Sequence, residues 1–137
     1  MATVASVDTA LKAAVLAATS ATSAVTKPLS KGYAITAGVT SITTLAVPIG
    51  QDRDDSNNTL TVGSFAVTVV HKLSDATDEN TYITGNMVSD LAAITARSFW
   101  RGITGVKDII AEPEVTLPER IGNVIEYTVT AQLSISA

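Results

Sequence analysis

The sequence predicts an α+β fold in which a mostly antiparallel sheet of roughly four to six strands, with one long hairpin, packs against two helices. Three patterns predict it. The residues of Ile125–Ile135 alternate between apolar and polar without a break, which is typical of a strand with one buried face. Val7–Ala18 repeats apolar residues at helical spacing, and the polar segment Gln51–Asn58 separates two extended runs. With 137 residues, we expect one domain that spans residues 1–137.

The first predicted element is a helix at Val7–Ala18. Ser6 is a suitable N-cap, and Asp8 lies in the first turn, where the helix dipole favours an anion. Alanine is frequent in this segment and supports a helix. The side chains that share one face are Val7, Leu11, Ala14, Val15 and Ala18. We therefore expect this helix to pack on the sheet.

The next segment predicts a loop followed by extended chain. Thr19–Thr26 contains mainly Ser, Thr and Ala without an apolar repeat, and Pro28 and Gly32 interrupt the residues that follow. Tyr33–Ile35 and Ser41–Ile49 are rich in β-branched residues, so we expect both to be extended.

Gly38 and Pro48 indicate where the extended runs turn and where they lie in the sheet. Gly38 lies between them and predicts a turn. Pro48 has no backbone N–H donor, so it favours a position at a sheet edge or at a strand end.

Gln51–Asn58 is the most polar segment of the chain and is predicted to be the flexible tip of a long hairpin. It lies between the extended runs Thr43–Ile49 and Thr59–Leu73, and its Asp, Ser and Asn residues favour turns over strands. The tip residues that we single out are Asp52, Arg53, Asp54 and Asp55.

The same segment partly matches the alternate ligand spacing of a calcium-binding loop. Its ligand-type side chains are Asp52, Asp54, Ser56 and Asn58. The turn position holds Asn57 where the motif requires Gly, and no Glu ends the segment. We therefore predict that this segment is not a metal site.

Phe65–Leu73 predicts a central strand and the first partner of Ile125–Ile135. One face carries Phe65, Val67, Val69 and Leu73, and the other carries Ala66, Thr68 and Val70. Valine on both faces indicates a strand that is covered on both sides.

A helix is predicted after this strand. Ser74–Asn80 is an acidic loop, the helix runs from about Asn86 to Trp100, and Gly102 is a suitable stop. The apolar stripe of this helix consists of Val88, Leu91, Ala92, Thr95 and Phe99.

The C-terminal part predicts a β-hairpin with a wide connection. Val106–Ala111 is a short strand, and the following loop contains Pro113 and Pro118, which keep it stiff and outside any ladder. We expect Ile109–Ala111 to pair with Ile125–Ile135.

Composition excludes several classes of protein. Cysteine is absent, which removes disulfides, thiolate metal ligands and thiol nucleophiles. The net charge is −4 and no basic tract is present, which disfavours a sequence-independent nucleic-acid binder. No apolar run approaches the roughly 20 residues of a membrane span, and the first residues do not resemble a secretory signal. We expect a soluble protein whose mean hydropathy of +0.32 reflects subunit contacts.

The sequence contains no recognisable catalytic motif. His71 is the only histidine, and we expect a hydrogen-bonded or partly exposed side chain on the strand face of Phe65. No nucleophile elbow and no phosphate-binding glycine loop occurs. Glu112 and Glu114 are close in sequence, but their proline-flanked loop favours solvated carboxylates. We therefore predict no enzyme, no cofactor and no metal.

Trp100 and two neighbouring arginines form a candidate subunit contact. A single Trp is usually part of the core, yet Trp and Arg are also enriched at the energetic centres of interfaces, so both readings stay open for Trp100. Arg97 and Arg101 are four residues apart on the predicted helix and repel each other. Carboxylates of an adjacent copy would relieve this repulsion; the candidates are Asp75, Asp78, Glu79, Glu112, Glu114 and Glu119.

The order of predicted elements resembles the tail terminator proteins of long-tailed bacteriophages. The resemblance lies in Phe65–Phe99, in Gly105 and Val106, and in Ile125–Leu133, while Thr19–Gly38 departs from a compact version of the pattern. It covers about half of the chain directly and the rest by element order only.

The resemblance implies a structural role in a virion. It implies a homo-oligomeric ring, a hexamer, that caps the tail tube and joins it to the head or neck, after assembly in the host cytoplasm. The implied partners are further copies of the chain, the tail tube protein and a head-completion protein. DNA passes through the lumen without specific binding, which an acidic chain favours. The alternatives are another neck, tube or coat subunit and, from a different class, a small ligand-binding α+β domain.

Overall fold

The computed structural model of the chain describes residues 2–24, 36–53, 55–57, 59–75 and 77–136. Its helical segments are α1 (Val4–Ala18), α2 (Asp78–Thr81), a π-helical turn (Tyr82–Met87), α3 (Val88–Thr95) and α4 (Arg97–Arg101). Its strands are β1 (Ser23–Ala24), β2 (Thr40–Arg53), β3 (Thr59–Lys72), β4 (Val106–Ile121) and β5 (Val124–Ile135). The predictions for Pro28, Gly32 and Tyr33–Ile35 lie outside the described residues.

The strands form one sheet in the order β1-β2-β3-β5-β4. The pairs β2–β3, β3–β5 and β4–β5 are antiparallel, and only the two-residue strand β1 is parallel to its neighbour. The predicted α+β fold with a mostly antiparallel sheet is therefore confirmed. The sheet has five strands, and it contains two long hairpins, β2–β3 and β4–β5, where one long hairpin was predicted.

Helix α1 begins earlier than predicted. Its N-cap is Thr3, whose hydroxyl accepts a hydrogen bond from the Ser6 N–H, while Ser6 Oγ accepts one from the Thr3 N–H. Ser6, which we predicted as the N-cap, is instead the third residue of the helix, from which its hydroxyl reaches back to the Thr3 N–H and completes a capping box. Val7, Leu11 and Val15 are completely buried, as the apolar stripe predicts.

The connection after α1 differs in part from the predicted loop Thr19–Thr26. Ser23 and Ala24 pair with Ser41 and Ile42 at the start of β2, because the extended chain finds a free strand edge there. Gly38 adopts a positive φ of 80° in a turn, as predicted.

The long hairpin predicted around Gln51–Asn58 is confirmed as β2–β3. Strand β2 extends to Arg53, which pairs with Thr59, so the polar tip is shorter than predicted. Pairing with the β-branched residues at the start of β3 overrides the low strand propensity of this polar segment. Asn57 takes the positive φ of 64° that the turn requires.

Strands β3 and β5 form the centre of the sheet. Val67 lies opposite Val129 and Phe65 opposite Ala131, so the predicted pairing of these strands is confirmed. The apolar residues of β5 are buried in alternation along its length. The core between this sheet face and the helices contains Val7, Leu11, Val15, Ile42, Phe65, Val67, Val69, Tyr82, Ile94, Trp100, Tyr127, Val129 and Leu133.

The predicted helix Asn86–Trp100 is wrong at its start and in its continuity. Helical structure begins at Asp78, within the predicted acidic loop Ser74–Asn80, and passes through the π-helical turn into α3. Ala96 is extended with ψ 134° and separates α3 from α4. The break leaves the Ile94 carbonyl without its helical partner, and the Trp100 indole N–H donates to this oxygen at 2.7 Å.

Strand β4 is longer than the predicted strand Val106–Ala111. It continues to Ile121 and includes Pro113 and Pro118, which we predicted to lie in a loop outside any ladder. The register of β4 against β5 shifts near both prolines. An edge strand tolerates proline because one side of its backbone has no ladder to complete.

Candidate functional site

Within the described part of the chain, one side of strand β2 is unpaired over most of its length, and this side is called the free edge of β2. Strand β1 pairs only with Ser41 and Ile42, so no described strand pairs with the outer side of β2 beyond these residues. Leu45, Val47 and Ile49 expose 65%, 42% and 48% of their surface along this free part. Pro48 lies in the same stretch, which confirms its predicted edge position.

Strand β4 forms the opposite edge of the sheet and is exposed over most of its length. Its exposed apolar side chains are Ile110, Val115, Leu117 and Ile121, of which Leu117 has 83% of its surface exposed. Pro113 and Pro118 remove two backbone donors from this edge, a common way to prevent uncontrolled strand pairing.

In the described part of the chain, the exposed apolar side chains are concentrated on these two strands. Among the described residues, eight large apolar side chains are exposed, and seven of them belong to β2 or β4. Val88 on α3 is the exception. Single exposed apolar side chains are common in proteins, but a concentration on two unpaired strand edges is typical of contact surfaces.

The sheet face opposite α1, here called the outer face, carries a row of threonine side chains. Thr43, Thr68, Thr128 and Thr116 are neighbours in one row across four strands. The hydroxyls of Thr68 and Thr128 are 3.0 Å apart. On the outer face of β3, Val70 is buried, whereas Ala66 and Thr68 are partly exposed. The prediction that this strand is covered on both faces is therefore correct only near Val70.

Arg97 and Arg101, which we predicted to contact carboxylates of an adjacent copy, both pair with carboxylates of their own chain. Arg97 binds Glu112, and Arg101 binds Asp108 with 3.1 Å between Nη2 and Oδ1. The hydrogen bond from the Ile109 N–H and then Arg101 lower the pKa of Asp108. The repulsion that we predicted to require a second copy is therefore relieved by β4 of the same chain. Such exposed pairs contribute little to stability.

Trp100 is completely buried, so its side chain belongs to the core and is not available for a contact with a second copy. Its ring meets Phe99 edge-on with centroids 5.7 Å apart.

The predicted acidic partners occupy different places. The Asp75 carboxylate accepts hydrogen bonds from the Thr77 hydroxyl and N–H, which lower the pKa of Asp75. Glu79 binds Arg120 across α2 and β4. Glu114 and Glu119 lie on the outer face of β4, where Glu119 is directly opposite Glu126. The structure thus spreads the predicted set over the α2 end and the β4 edge.

The residues of the β2–β3 tip form a shallow polar groove with β4. Asp52, Arg53 and Asp55 line it together with Lys107 and Asp108. Asp54, also predicted for the tip, lies outside the described residues. In the part of the chain that the structure describes, no group of three potential ligands among His, Cys, Asp and Glu is placed to hold a metal ion.

His71 lies in a buried chain of hydrogen bonds that the sequence did not predict in full. Its Nδ1 is 2.9 Å from the Thr40 hydroxyl, and its Nε2 is 2.9 Å from Asp78 Oδ2. Since the Asp78 carboxylate only accepts, Nε2 carries a proton, and Thr40 can donate to Nδ1 of the neutral ring. The ring also stacks on Tyr82 with centroids 3.9 Å apart. The predicted hydrogen-bonded strand histidine is confirmed.

This arrangement resembles the base and orienting group of a catalytic triad, but it lies in the interior of the protein. Thr40 and His71 each have 4% of their surface exposed, so a substrate cannot reach the hydroxyl. The Ser74 N–H and then His71 lower the pKa of Asp78, which favours its charged form. The three side chains connect β2, β3 and α2.

A second buried polar contact connects the segment that follows α1 to α3. The carboxylate of Asp90, 3% exposed, accepts hydrogen bonds from the Ser20 N–H at 2.9 Å and from the Ser20 hydroxyl at 2.5 Å. Burial raises the pKa values of Tyr82 and Tyr127 nearby, so both remain protonated. Asp90 lies outside the apolar stripe that we predicted for this helix, so nothing in the sequence indicated this contact. The predicted stripe is wrong at Val88, which is exposed, because the buried face of α3 carries Asp90 and Ile94 instead.

No helix among the described residues is both long and apolar enough to span a membrane. A scan against protein-family models finds no match for the chain, and a search of the curated proteins finds none either.

Proposed function

We propose that the chain is a structural subunit of a long-tailed bacteriophage virion, which forms a ring on the end of the tail tube and joins it to the head or neck. The proposal rests on one observation: of the eight large apolar side chains that are exposed among the described residues, seven lie on β2 and β4, whose outer sides are largely unpaired in the described sheet. The element order, similar to that of tail terminator proteins, supports the same role.

The position of these edges favours a ring over a dimer. The two edges lie on opposite sides of one sheet, so a contact that joins β2 of one copy to β4 of the next leaves one free edge at each end. Repetition of such a head-to-tail contact ends only when the copies close into a ring or grow into a filament. We expect a hexamer, the number that the resemblance implies.

The charges are consistent with a channel that DNA crosses. The net charge is −4, and several arginines are already paired with carboxylates of the same chain. A lumen formed by such a subunit repels a polyanion and lets it slide.

Native mass measurement of the purified protein, with and without tail tubes, tests the proposal. The expected result is a closed ring in at least one condition, which electron microscopy locates at one end of the tube. A protein that remains monomeric in both conditions contradicts the proposal. A monomer or dimer that binds a small apolar ligand supports the ligand-binding alternative instead, and a ring along the tube or in the head supports another virion subunit.

A further inference from the structure

We propose that neighbouring copies join through a short antiparallel ladder between Thr44–Val47 of one copy and Glu114–Leu117 of a second copy. The inference rests on the proposed function, because it names the contact from which the ring is built. It follows from strand direction, backbone alternation, proline positions and charge.

Strand direction allows the two edges to pair. Three successive antiparallel pairs, β2–β3, β3–β5 and β5–β4, give β2 and β4 opposite directions. When a second copy continues the sheet beyond β4, its β2 has the direction of the first copy's β2. The new pair is therefore antiparallel, and the alternation of the sheet continues across the boundary between copies.

The backbone alternation identifies the free donors and acceptors on β2. In an antiparallel sheet, alternate residues bond to opposite neighbouring strands. The Thr40 carbonyl accepts from the Thr22 N–H, on the side of β2 away from β3. Because the direction repeats every second residue from Thr40, Thr44 and Ala46 also direct their N–H and C=O groups to the free edge. Pro48 is next in this series, where its missing N–H breaks no bond to β3.

The same counting applies to β4. The Leu73 N–H donates to the Asn123 carbonyl, and the Ser136 N–H donates to the Gly105 carbonyl. The even-numbered residues of β5 therefore bond to β4, among them the partners of Glu114 and Thr116. Val115 lies between these two and directs its N–H and C=O groups to the free edge.

The prolines select one register. With Ala46 opposite Val115 of a second copy, Pro48 lies opposite Pro113, and Thr44 lies opposite Leu117. A shift by two residues one way places Leu117 opposite Ile42, which already pairs with β1. A shift by two the other way places Pro48 opposite Val115 and removes a hydrogen bond. Shifts by one residue bring the outer face of one copy next to the helix face of the other.

Charge disfavours a symmetric contact between two β4 edges. Glu112, Glu114 and Glu119 would meet their own copies there, and like charges opposite each other destabilise a sheet. Thr43–Gly50 contains no charged residue, so the acidic β4 edge meets a neutral β2 edge in the proposed ladder.

Disulfide cross-linking tests this register, since the chain has no cysteine of its own. Leu45 and Thr116 would be directly opposite as a non-hydrogen-bonded pair, about 4.5 Å apart between Cα atoms, which a disulfide can bridge. Oxidation of the variant Leu45→Cys/Thr116→Cys should give a reducible series of dimers, trimers and larger species up to the ring. Leu45→Cys/Glu114→Cys, displaced by two residues, should cross-link about ten-fold more slowly.

The single variants and a remote pair are the controls. Leu45→Cys alone and Thr116→Cys alone should remain uncross-linked, whereas their mixture should give dimers only. Val88→Cys/Thr116→Cys should give no series, because Val88 is exposed but lies on α3.

Three other results would contradict the proposed ladder. Dimers from either single variant indicate a two-fold contact between like edges. A ring by native mass that does not cross-link leaves the proposed function intact but contradicts this contact. Monomers in the presence of tail tubes contradict both.

Discussion

Replacement of Trp100 tests whether the indole closes the break between α3 and α4. Trp100 is completely buried, and its N–H donates to the Ile94 carbonyl at 2.7 Å. Trp100→Phe removes this donor and leaves the buried carbonyl without a partner, at a cost of about 1–3 kcal/mol. The smaller ring leaves a cavity that adds roughly 1 kcal/mol. We expect the free energy of unfolding to fall by about 3 kcal/mol in total, roughly 10 °C in Tm for a chain of this size.

Circular dichroism during chemical and thermal denaturation is the appropriate assay, because Trp100 is the only tryptophan and its fluorescence is lost in the variant. The matched control is β-(3-benzothienyl)alanine at position 100, which keeps the size of the ring and replaces the N–H by sulfur. It should lose about 1–3 kcal/mol, the hydrogen-bond part alone. If the benzothienyl protein is as stable as the original, the indole N–H does not stabilise the break and the reasoning fails.

Three further changes test individual contacts by denaturation. The Asp78 carboxylate accepts hydrogen bonds that hold its pKa below the ordinary value of 3.8. These bonds therefore stabilise the fold fully above the pKa of the unfolded chain, and their contribution is lost as pH falls through the pKa of the folded protein. Asp78→Asn should therefore reduce the loss of Tm between about pH 4 and pH 2, and an unchanged pH profile would contradict this. Asp90→Ala removes both hydrogen bonds from Ser20 and should lower the free energy of unfolding by about 2–4 kcal/mol. Ser20→Ala removes only the hydroxyl bond and should cost about half as much, so equal losses would argue against a role of the Ser20 N–H. Gly105 has φ +94°, and an added Cβ would lie 3.0 Å from the Val7 side chain, so Gly105→Ala should cost about 1–3 kcal/mol; a neutral effect would show that the turn relaxes.

The elements that the sequence predicted correctly carry their signal locally. The alternation in Ile125–Ile135 is a property of neighbouring residues, and the buried face of β5 follows it. The same holds for the apolar stripe of α1 and for the polar turn between β2 and β3. Each of these patterns requires no knowledge of the rest of the chain.

The elements that were predicted incorrectly depend on distant contacts. The helix break at Ala96 is accompanied by a hydrogen bond from the buried Trp100 indole to the Ile94 carbonyl. Local helix propensity gives no information about such a bond. Strand β4 continues past Pro113 because it lies at an edge, and a rule that applies to central strands led to the prediction of a loop.

The candidate site shows the same division. Its apolar residues were visible only as a high mean hydropathy, since their concentration on two edges requires the strand order. The spacing of Arg97 and Arg101 indicated that they need carboxylate partners, but the sequence could not show that Glu112 and Asp108 of the same chain supply them. Thr40 was not predicted because 31 residues separate it from His71.

Mixing two edge variants tests head-to-tail assembly most directly. Leu45→Glu/Val47→Glu disables the β2 edge, and Val115→Asp/Leu117→Asp disables the β4 edge. Native mass spectrometry should show each variant as a monomer under the conditions in which the original chain forms a ring. Their equimolar mixture should give a one-to-one dimer and nothing larger, because each pair retains one functional β2 edge and one functional β4 edge. Rings from either variant alone, or a mixture that stays monomeric, would contradict assembly through these two edges.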